Sequence, residues 1–337
     1  MYEVTLSLDA KSLPERFKDA NYFVHELRDV YQDAHALSIL KQLGQPSRFS
    51  FWLNPFNAAG PSTSAAGPSG TASWTRLPPN LAALADVQTV PELPGVWSAP
   101  RASEITRSEA ANSAAIYIQN PSSLVAVKAL APQPHEEVLD LAAAPGGKTI
   151  ALSVAMDNTG RIAAVEAVKS RYFRLQANVQ RCGVTNVDFY LRDGRGVGRA
   201  VGERFDRVLL DAPCSSQARM RWFDERSYGH WTVKKNKEAQ RKQKRLILSA
   251  YDALKPGGRL VYCTCSFSVT ENESVVHHLL TRSDAHMVPL SMALPEHLPG
   301  LSRWRGKSLS AELVHSVRIL PNPVWDGFYL AVLAKPG

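Results

Sequence analysis

The sequence predicts an α/β protein whose core is a mostly parallel sheet covered by helices on both faces. Three observations carry this. From about residue 136, near-continuous apolar runs (EVLDLAAA, RIAAVEA, VDFYLRD, FDRVLLDAP and RLVYCTCSF) alternate with helical segments, the pattern of strands buried on both faces. The first of these runs ends in a turn of small residues that opens a helix. The residues of greatest chemical interest all fall at predicted strand C-termini, the edge on which such sheets bind ligands.

Taken in chain order, Tyr22, Phe23, Leu27, Val30, Tyr31, Ala34, Leu37 and Leu40 recur at helical spacing until Gly44 and Pro46 end the pattern, and SRFSFWLNPF (47–56) follows as a strand. Residues 1–57 thus form a small N-terminal α+β region. Residues 58–73 contain only Ala, Gly, Pro, Ser and Thr, too little apolar surface to offset ordering entropy, so 58–76 reads as a flexible insertion. A connecting segment, 77–135, is Pro-rich up to Pro100 and then gives a short strand, a turn at Pro121 and a helix within 116–130. The main domain is 136–337, closing with the strand DGFYLAVLA (326–334).

At 337 residues, with 45% hydrophobic and 21% charged content, the composition is that of a globular enzyme. No apolar stretch approaches the ~20 residues that span a bilayer. MYEVTLSLDAK lacks a basic region followed by an apolar core, so no secretory signal is expected and a cytoplasmic, soluble protein is. Four cysteines are too few for a disulfide framework in a chain of this length, which implies reduced thiols. The net charge of +8 points to a polyanionic partner.

In LDLAAAPGGKT (139–149), Gly146 and Gly147 let backbone approach a ligand closely before a helix begins, which suggests a nucleotide-like ligand; a plain strand-to-helix turn is the bland alternative. A phosphate-binding loop is excluded because its first glycine would fall on Ala142, and G-x-G-x-x-G is absent. Glu166 ends the second strand, where a carboxylate can accept hydrogen bonds from ribose hydroxyls. Asp193 ends the third and Asp211 the fourth. Singly these are ordinary solvated acids; as an ordered set they argue for a nucleotide site.

Asp211-Ala-Pro-Cys214 follows the fourth strand and Thr264-Cys265-Ser266 the fifth, so neighbouring strand ends can deliver two thiols to one crevice. Carbon 5 of cytosine is a poor nucleophile until a thiolate adds to carbon 6, a covalent step that splits one hard reaction into two easier ones. An acid such as Asp211 near the ring nitrogen would stabilise the developing charge. The bland alternative for any free cysteine is a small buried hydrophobe, which is the reading for Cys182; Cys263 has no independent support for a role. One C-x-C without a histidine pattern argues against a metal site.

With these motifs assembled, the chain resembles the Nol/Nop/Sun family of RNA cytosine-5 methyltransferases, the group that includes the bacterial RsmB and RsmF enzymes. The resemblance covers roughly 95–335 through LDLAAAPGGKT, Glu166 followed by Arg171 and Asn178, Asp193-Gly194, DAPCS, QKRLILSAYDALKPGG, YCTCSF and RILPNPVWDGFYLAVL. It implies a Rossmann-like class I methyltransferase sheet, S-adenosylmethionine as cofactor, and 5-methylcytosine in RNA as product. By the resemblance Cys265 is the nucleophile, Cys214 assists release and Asp211 contacts the cytosine. The same resemblance implies that Ala142, Ala143, Ala144, Pro145, Gly146, Gly147, Lys148, Glu166, Arg171, Asp193 and Asp211 hold the cofactor. ILKQLGQPSRFSFWLNP (39–55) resembles the family's small RNA-contacting region. Two departures stand out: the 58–73 insertion is foreign to the family, and Ser216 stands where glycine is usual.

KKNKEAQRKQKR (234–245) carries seven basic residues against one acid and is the best candidate for phosphate contacts, with a solvated helix face as the alternative. Arg219, Arg221, Trp222 and Trp231 just before it suggest aromatic surface for stacking on an unpaired base. The expected partner is RNA, rRNA ahead of tRNA, acted on by a monomer without metal or membrane. Two other readings stay open: a small-molecule or protein methyltransferase on the same fold, and an RNA-binding assembly factor that retains the fold without turnover.

Overall fold

A computed structural model describes residues 9, 11, 13–57, 77, 81, 86–100 and 102–337. The insertion expected at 58–76 lies outside these residues.

The near-continuous apolar runs become adjacent strands: β5 (Glu137–Asp140), β6 (Arg161–Glu166), β7 (Val187–Leu191), β8 (Phe205–Asp211) and β9 (Leu254–Thr264). They are parallel in the order β9-β8-β5-β6-β7. The chain runs outward from β5 to β7, then returns to build β8 and β9 on the other side of β5. That reversal opens a crevice between the carboxyl ends of β5 and β8, where open α/β sheets bind ligands.

The last strand, β15 (Phe328–Ala334), lies antiparallel to β9, and β14 (Val317–Ile319) is antiparallel beyond it; the short β10 (His286–Met287) pairs β15, β11 (His297–Pro299) pairs β14, and β12 (Arg303–Trp304) pairs β13 (Lys307–Ser308). Helices α2 (Pro121–Leu130), α3 (Gly147–Ala155) and α4 (Lys169–Arg181) bury one face; α5 (Val233–Asp252) and α6 (Glu273–Leu280) bury the other. Successive strand residues alternate between the two cores, Val138, Ile162, Leu209 and Val261 on one side and Leu139, Ala163, Val208 and Leu260 on the other, as the pleat requires. Among the described residues no helix is long and apolar enough to cross a membrane.

The periodic stretch near the N-terminus forms α1 (Ala20–Leu43), with non-helical dihedrals at Gln32. Its apolar face shares a core with α2, α3 and the main sheet. The strand expected at 47–56 is β1 (Phe49–Leu53), paired with β3 (Val96–Ala99) and β4 (Ile116–Ile118), while β2 (Gln88–Thr89) pairs β3. The small sheet is therefore completed by strands from both sides of the insertion.

A buried ion pair locks these layers together. Arg318 on β14 donates from Nε to Glu273 Oε1 at 2.6 Å and from Nη2 to Glu273 Oε2. Its Nη1 bonds the Tyr31 hydroxyl of α1 at 2.8 Å and the Phe267 carbonyl at 3.1 Å. Both charged side chains are sealed from water, so removing one partner leaves an uncompensated charge. Arg318→Met is expected to destabilise the protein by about 3–5 kcal/mol in urea unfolding, and a loss under 1 kcal/mol would contradict this role.

Candidate active site

The turn after β5 lines a cavity of about 510 Å³ with Ala142, Ala143, Ala144, Pro145, Gly147 and Lys148. Gly146 has φ +110°, a conformation for glycine, and caps α3. A Cβ on Gly147 would stand 2.9 Å from Gln119 Nε2 and 3.1 Å from the Tyr117 ring, so small residues here let the opposite wall close over the turn. That wall, Tyr117 to Asn120, was not singled out in the sequence because its residues carry no motif of their own.

Lys148 Nζ, nearly buried, bonds Asp211 Oδ2 at 2.6 Å and Ser123 Oγ at 3.3 Å. The pair spans the gap between β5 and β8 and fixes the Asp211 carboxylate at the cavity floor. Arg171 donates to the Ala144 carbonyl at 2.7 Å and approaches Glu166 Oε2 at 3.3 Å, while Asn178 holds the Pro145 carbonyl. Gly146, Glu166 and Asp193 are not among the lining residues. Glu166 is buried beside Arg171 with Oε1 accepting from the Val168 N–H. Asp193 caps a short turn, bound to Arg195, whose guanidinium keeps the carboxyl below its usual range.

A bound cofactor with donor groups fits this cavity. Asp140 Oδ1, on a residue that lines the cavity, is a buried oxygen without a hydrogen-bond partner, the kind of group that calls for one. Burial pushes Asp140 up to about 7, against the Thr149 hydroxyl bonded to it at 2.7 Å. The volume also falls within the range of small-molecule sites.

The thiols meet at the far end of the same cavity, which Cys214, Ser216, Arg219, Cys265 and Asp326 line. The two sulfurs are 3.2 Å apart. Cys265 is lowered from the ordinary thiol range, first by its hydrogen bond with Cys214, against burial and with help from the Arg219 guanidinium. Cys214 is raised by that same bond and by burial, so the pair favours Cys265 as the more acidic thiol, the form from which a reactive thiolate arises. Cys263 is buried and raised by burial, its sulfur 3.7 Å from Asp211 Oδ1, and Cys182 is fully buried. Ser216 has φ +58°, which explains why glycine suits this position. Among the described residues no group of three or more His, Cys, Asp or Glu side chains is arranged to hold a metal ion.

Around the basic helix the structure corrects one expectation. Trp231 is 2% exposed and packs with Phe17 and Phe23; Trp222 joins the same aromatic cluster and donates its indole N–H to the Leu40 carbonyl. The N-terminal segment covers them, so Trp231 is closed to a base, and the exposed ring at this turn is Phe223, at 65%. Arg221 is engaged with Asp326 and Ser47. On α5, Lys234, Lys235, Lys237, Arg241, Lys242 and Arg245 are exposed while Asn236 and Gln243 point inward. Sequence reading also passed over Glu271, which the inward-facing pair contacts.

A family model described as 16S rRNA methyltransferase RsmB/F matches residues 127–334. The tRNA (cytosine(49)-C(5))-methyltransferase of Pyrococcus abyssi is 41% identical over 219 residues, 65% of this chain and 70% of that protein. Ribosomal RNA small subunit methyltransferase F of Klebsiella pneumoniae is 47% identical over 169 residues, 49% of this chain but only 35% of that protein. The chain therefore spans about a third of the latter's length. The crystal structure of a methyltransferase homolog protein from Pyrococcus horikoshii matches with a TM-score of 0.77 at 30% identity, covering 95% of this chain and 96% of that one.

The thiol contact makes a direct prediction. Because the bond from Cys214 is the largest influence lowering Cys265, Cys214→Ala should move the midpoint of Cys265 alkylation by iodoacetamide to higher pH. An unchanged midpoint would mean that the sulfurs do not share a proton.

Proposed function

The chain belongs to the RsmB/F methyltransferase family, and on that premise we propose that it methylates carbon 5 of a cytosine in RNA through a covalent bond to Cys265. The single observation that carries this reading is the 3.2 Å contact between Cys214 and Cys265 at one end of a cavity whose floor is Asp211. A methyltransferase acting on a small molecule or protein has no need for two thiols at adjoining strand ends.

S-adenosylmethionine would be held by the 142–148 turn and Arg171, with Glu166 and Asp193 at the ends of the next two strands, and would supply an electrophilic sulfonium methyl group. The chain's own residues do the rest. The Cys265 thiolate adds to carbon 6, forming a sulfur–carbon bond and moving the ring π electrons toward carbon 5 and the ring nitrogen. Asp211, pinned by Lys148, faces the ring edge, where a proton shared between its carboxyl and the ring nitrogen stabilises the charge that develops. After methylation the proton on carbon 5 passes to a base, its electron pair restores the carbon 5–carbon 6 double bond, and sulfur leaves with the electrons of its bond to carbon. Cys214 donates its hydrogen bond to that departing sulfur. Addition over the ring face needs an unstacked base, so the target is a loop or flipped-out nucleotide.

The exposed cations of α5 are the phosphate-contacting surface in this reading. The family description and the RsmF relative favour rRNA; the archaeal relative, named for tRNA, makes tRNA the second reading. Bisulfite sequencing of total RNA with and without the gene locates the lost 5-methylcytosine, and no lost site would refute the proposal.

Cys265→Ala is expected to abolish methylation and covalent RNA capture, whereas Cys214→Ala accumulates a denaturation-resistant protein–RNA adduct because elimination stalls. An adduct surviving Cys265→Ala would reverse the assignment. Replacing Lys234, Lys235 and Lys237 together by alanine should reduce the slope of log Kd against log salt by roughly 2, at about 0.7 per contact with single-stranded RNA. Anisotropy titrations at several salt concentrations measure that slope, and an unaltered value would move the contact surface elsewhere.

A further inference from the structure

Glu271 lies in the turn between β9 and α6 and is fully buried, yet its hydrogen-bond partners are all neutral. Oε1 accepts from the Ser215 backbone N–H at 2.9 Å and from Gln243 Nε2 at 3.1 Å. Oε2 accepts from Asn236 Nδ2 at 3.0 Å, from Ser266 Oγ at 2.6 Å and from the Ser215 hydroxyl. The backbone N–H can only donate, and Asn236 and Gln243 turn their NH2 groups toward the carboxyl, so the site suits a carboxylate. Burial pushes Glu271 up, and its donors oppose that rise.

The origin of the donors matters more than their number. Ser215 follows Cys214, and Ser266 follows Cys265. Asn236 and Gln243 are buried polar residues two turns apart on one face of the basic helix. One carboxylate therefore joins both thiol-bearing loops to α5. Secondary ties run beside it: Ala218 N–H to the Cys265 carbonyl at 3.0 Å, and Phe267 N–H to Gln217 Oε1 at 2.8 Å.

We propose that Glu271 is a positioning residue for the thiol pair: its carboxylate ties the Cys214 loop, the Cys265 loop and the inner face of the basic helix to one point and so holds the two sulfurs in contact. The proposal deepens, and rests on, the covalent reading of the site. The Glu271 charge adds to the rise of Cys214, after the bond to Cys265, burial and the charge of Cys265, while Asp211 raises both thiols and Arg219 lowers Cys265. Around the pair stand Lys148 on Asp211 and Tyr262 and Cys263 from β9, while Glu26 from α1, bonded to Ser268, acts on Glu271.

Two variants test this in the full chain. Glu271→Gln removes the charge and presents an amide to groups that donate; Ser215→Ala removes one tether at a half-buried position. In the absence of RNA, iodoacetamide alkylation of each thiol is followed against pH by peptide mass spectrometry. In Glu271→Gln, Cys214 alkylation at pH 8 should rise roughly tenfold, about one unit of its midpoint, and the Cys265 profile should move up. With single-stranded RNA containing the target cytosine, the adduct of Ser215→Ala should persist several-fold longer than that of the unsubstituted protein.

Thiol profiles of Glu271→Gln that superimpose on those of the unsubstituted protein, or an unaltered adduct lifetime in Ser215→Ala, would overturn the proposal. If Glu271→Gln does not fold, the Ser215→Ala lifetime decides alone. Failure of Cys214→Ala to accumulate any adduct would sink the covalent reading instead, while the thiol profiles still judge Glu271.

Discussion

The chemistry of this protein depends on β8 and β9 being adjacent and parallel. In their register Asp211 lies opposite Cys263, so the segments that follow leave the sheet side by side on one edge. An antiparallel pairing would send the two thiols to opposite edges, and a register slip of one residue would turn their side chains to the other face. Because the strands are parallel and aligned, Cys214 and Cys265 meet at 3.2 Å, with Asp211 beside them and the small-residue turn of β5 across the switch point. The Lys148–Asp211 bond then closes the crevice floor between β5 and β8.

Bringing so many polar groups to one strand edge carries a cost that the surrounding structure absorbs. Glu271 is buried without a cation and is stabilised by donors from separate segments; an unsatisfied carboxylate there would favour the unfolded chain. Ser216 holds a left-handed backbone at about 1–2 kcal/mol over glycine, at the point where the chain turns beneath the thiols. Such departures from local preference cluster where geometry is demanded by function rather than stability.

The N-terminal helix belongs to this economy of support. Tyr31 reaches Arg318, Glu26 reaches Ser268, and the Leu40 and Leu43 carbonyls accept from Trp222. Phe17 and Phe23 cover the aromatic cluster beneath the turn that follows the thiol loop. The helix thereby stiffens the segments on either side of the thiols from outside the main sheet. Residues with no chemistry of their own thus set how firmly the reacting groups are held.

What the sequence determined by itself is whatever is encoded locally. Alternating apolar runs and helices specified the sheet class, Gly146 and Gly147 the small-residue turn that lines the cavity, and strand-end positions singled out Asp211, Cys214 and Cys265, because strand period and turn chemistry act over a few neighbours. The burial of Trp231, the closure of Tyr117 and Gln119 over Gly147, and the convergence of Ser215, Asn236, Gln243 and Ser266 on Glu271 came only from the tertiary structure. Several of these contacts join residues dozens of positions apart, and no short-range pattern records which distant side chain will fill a buried space or satisfy a buried charge.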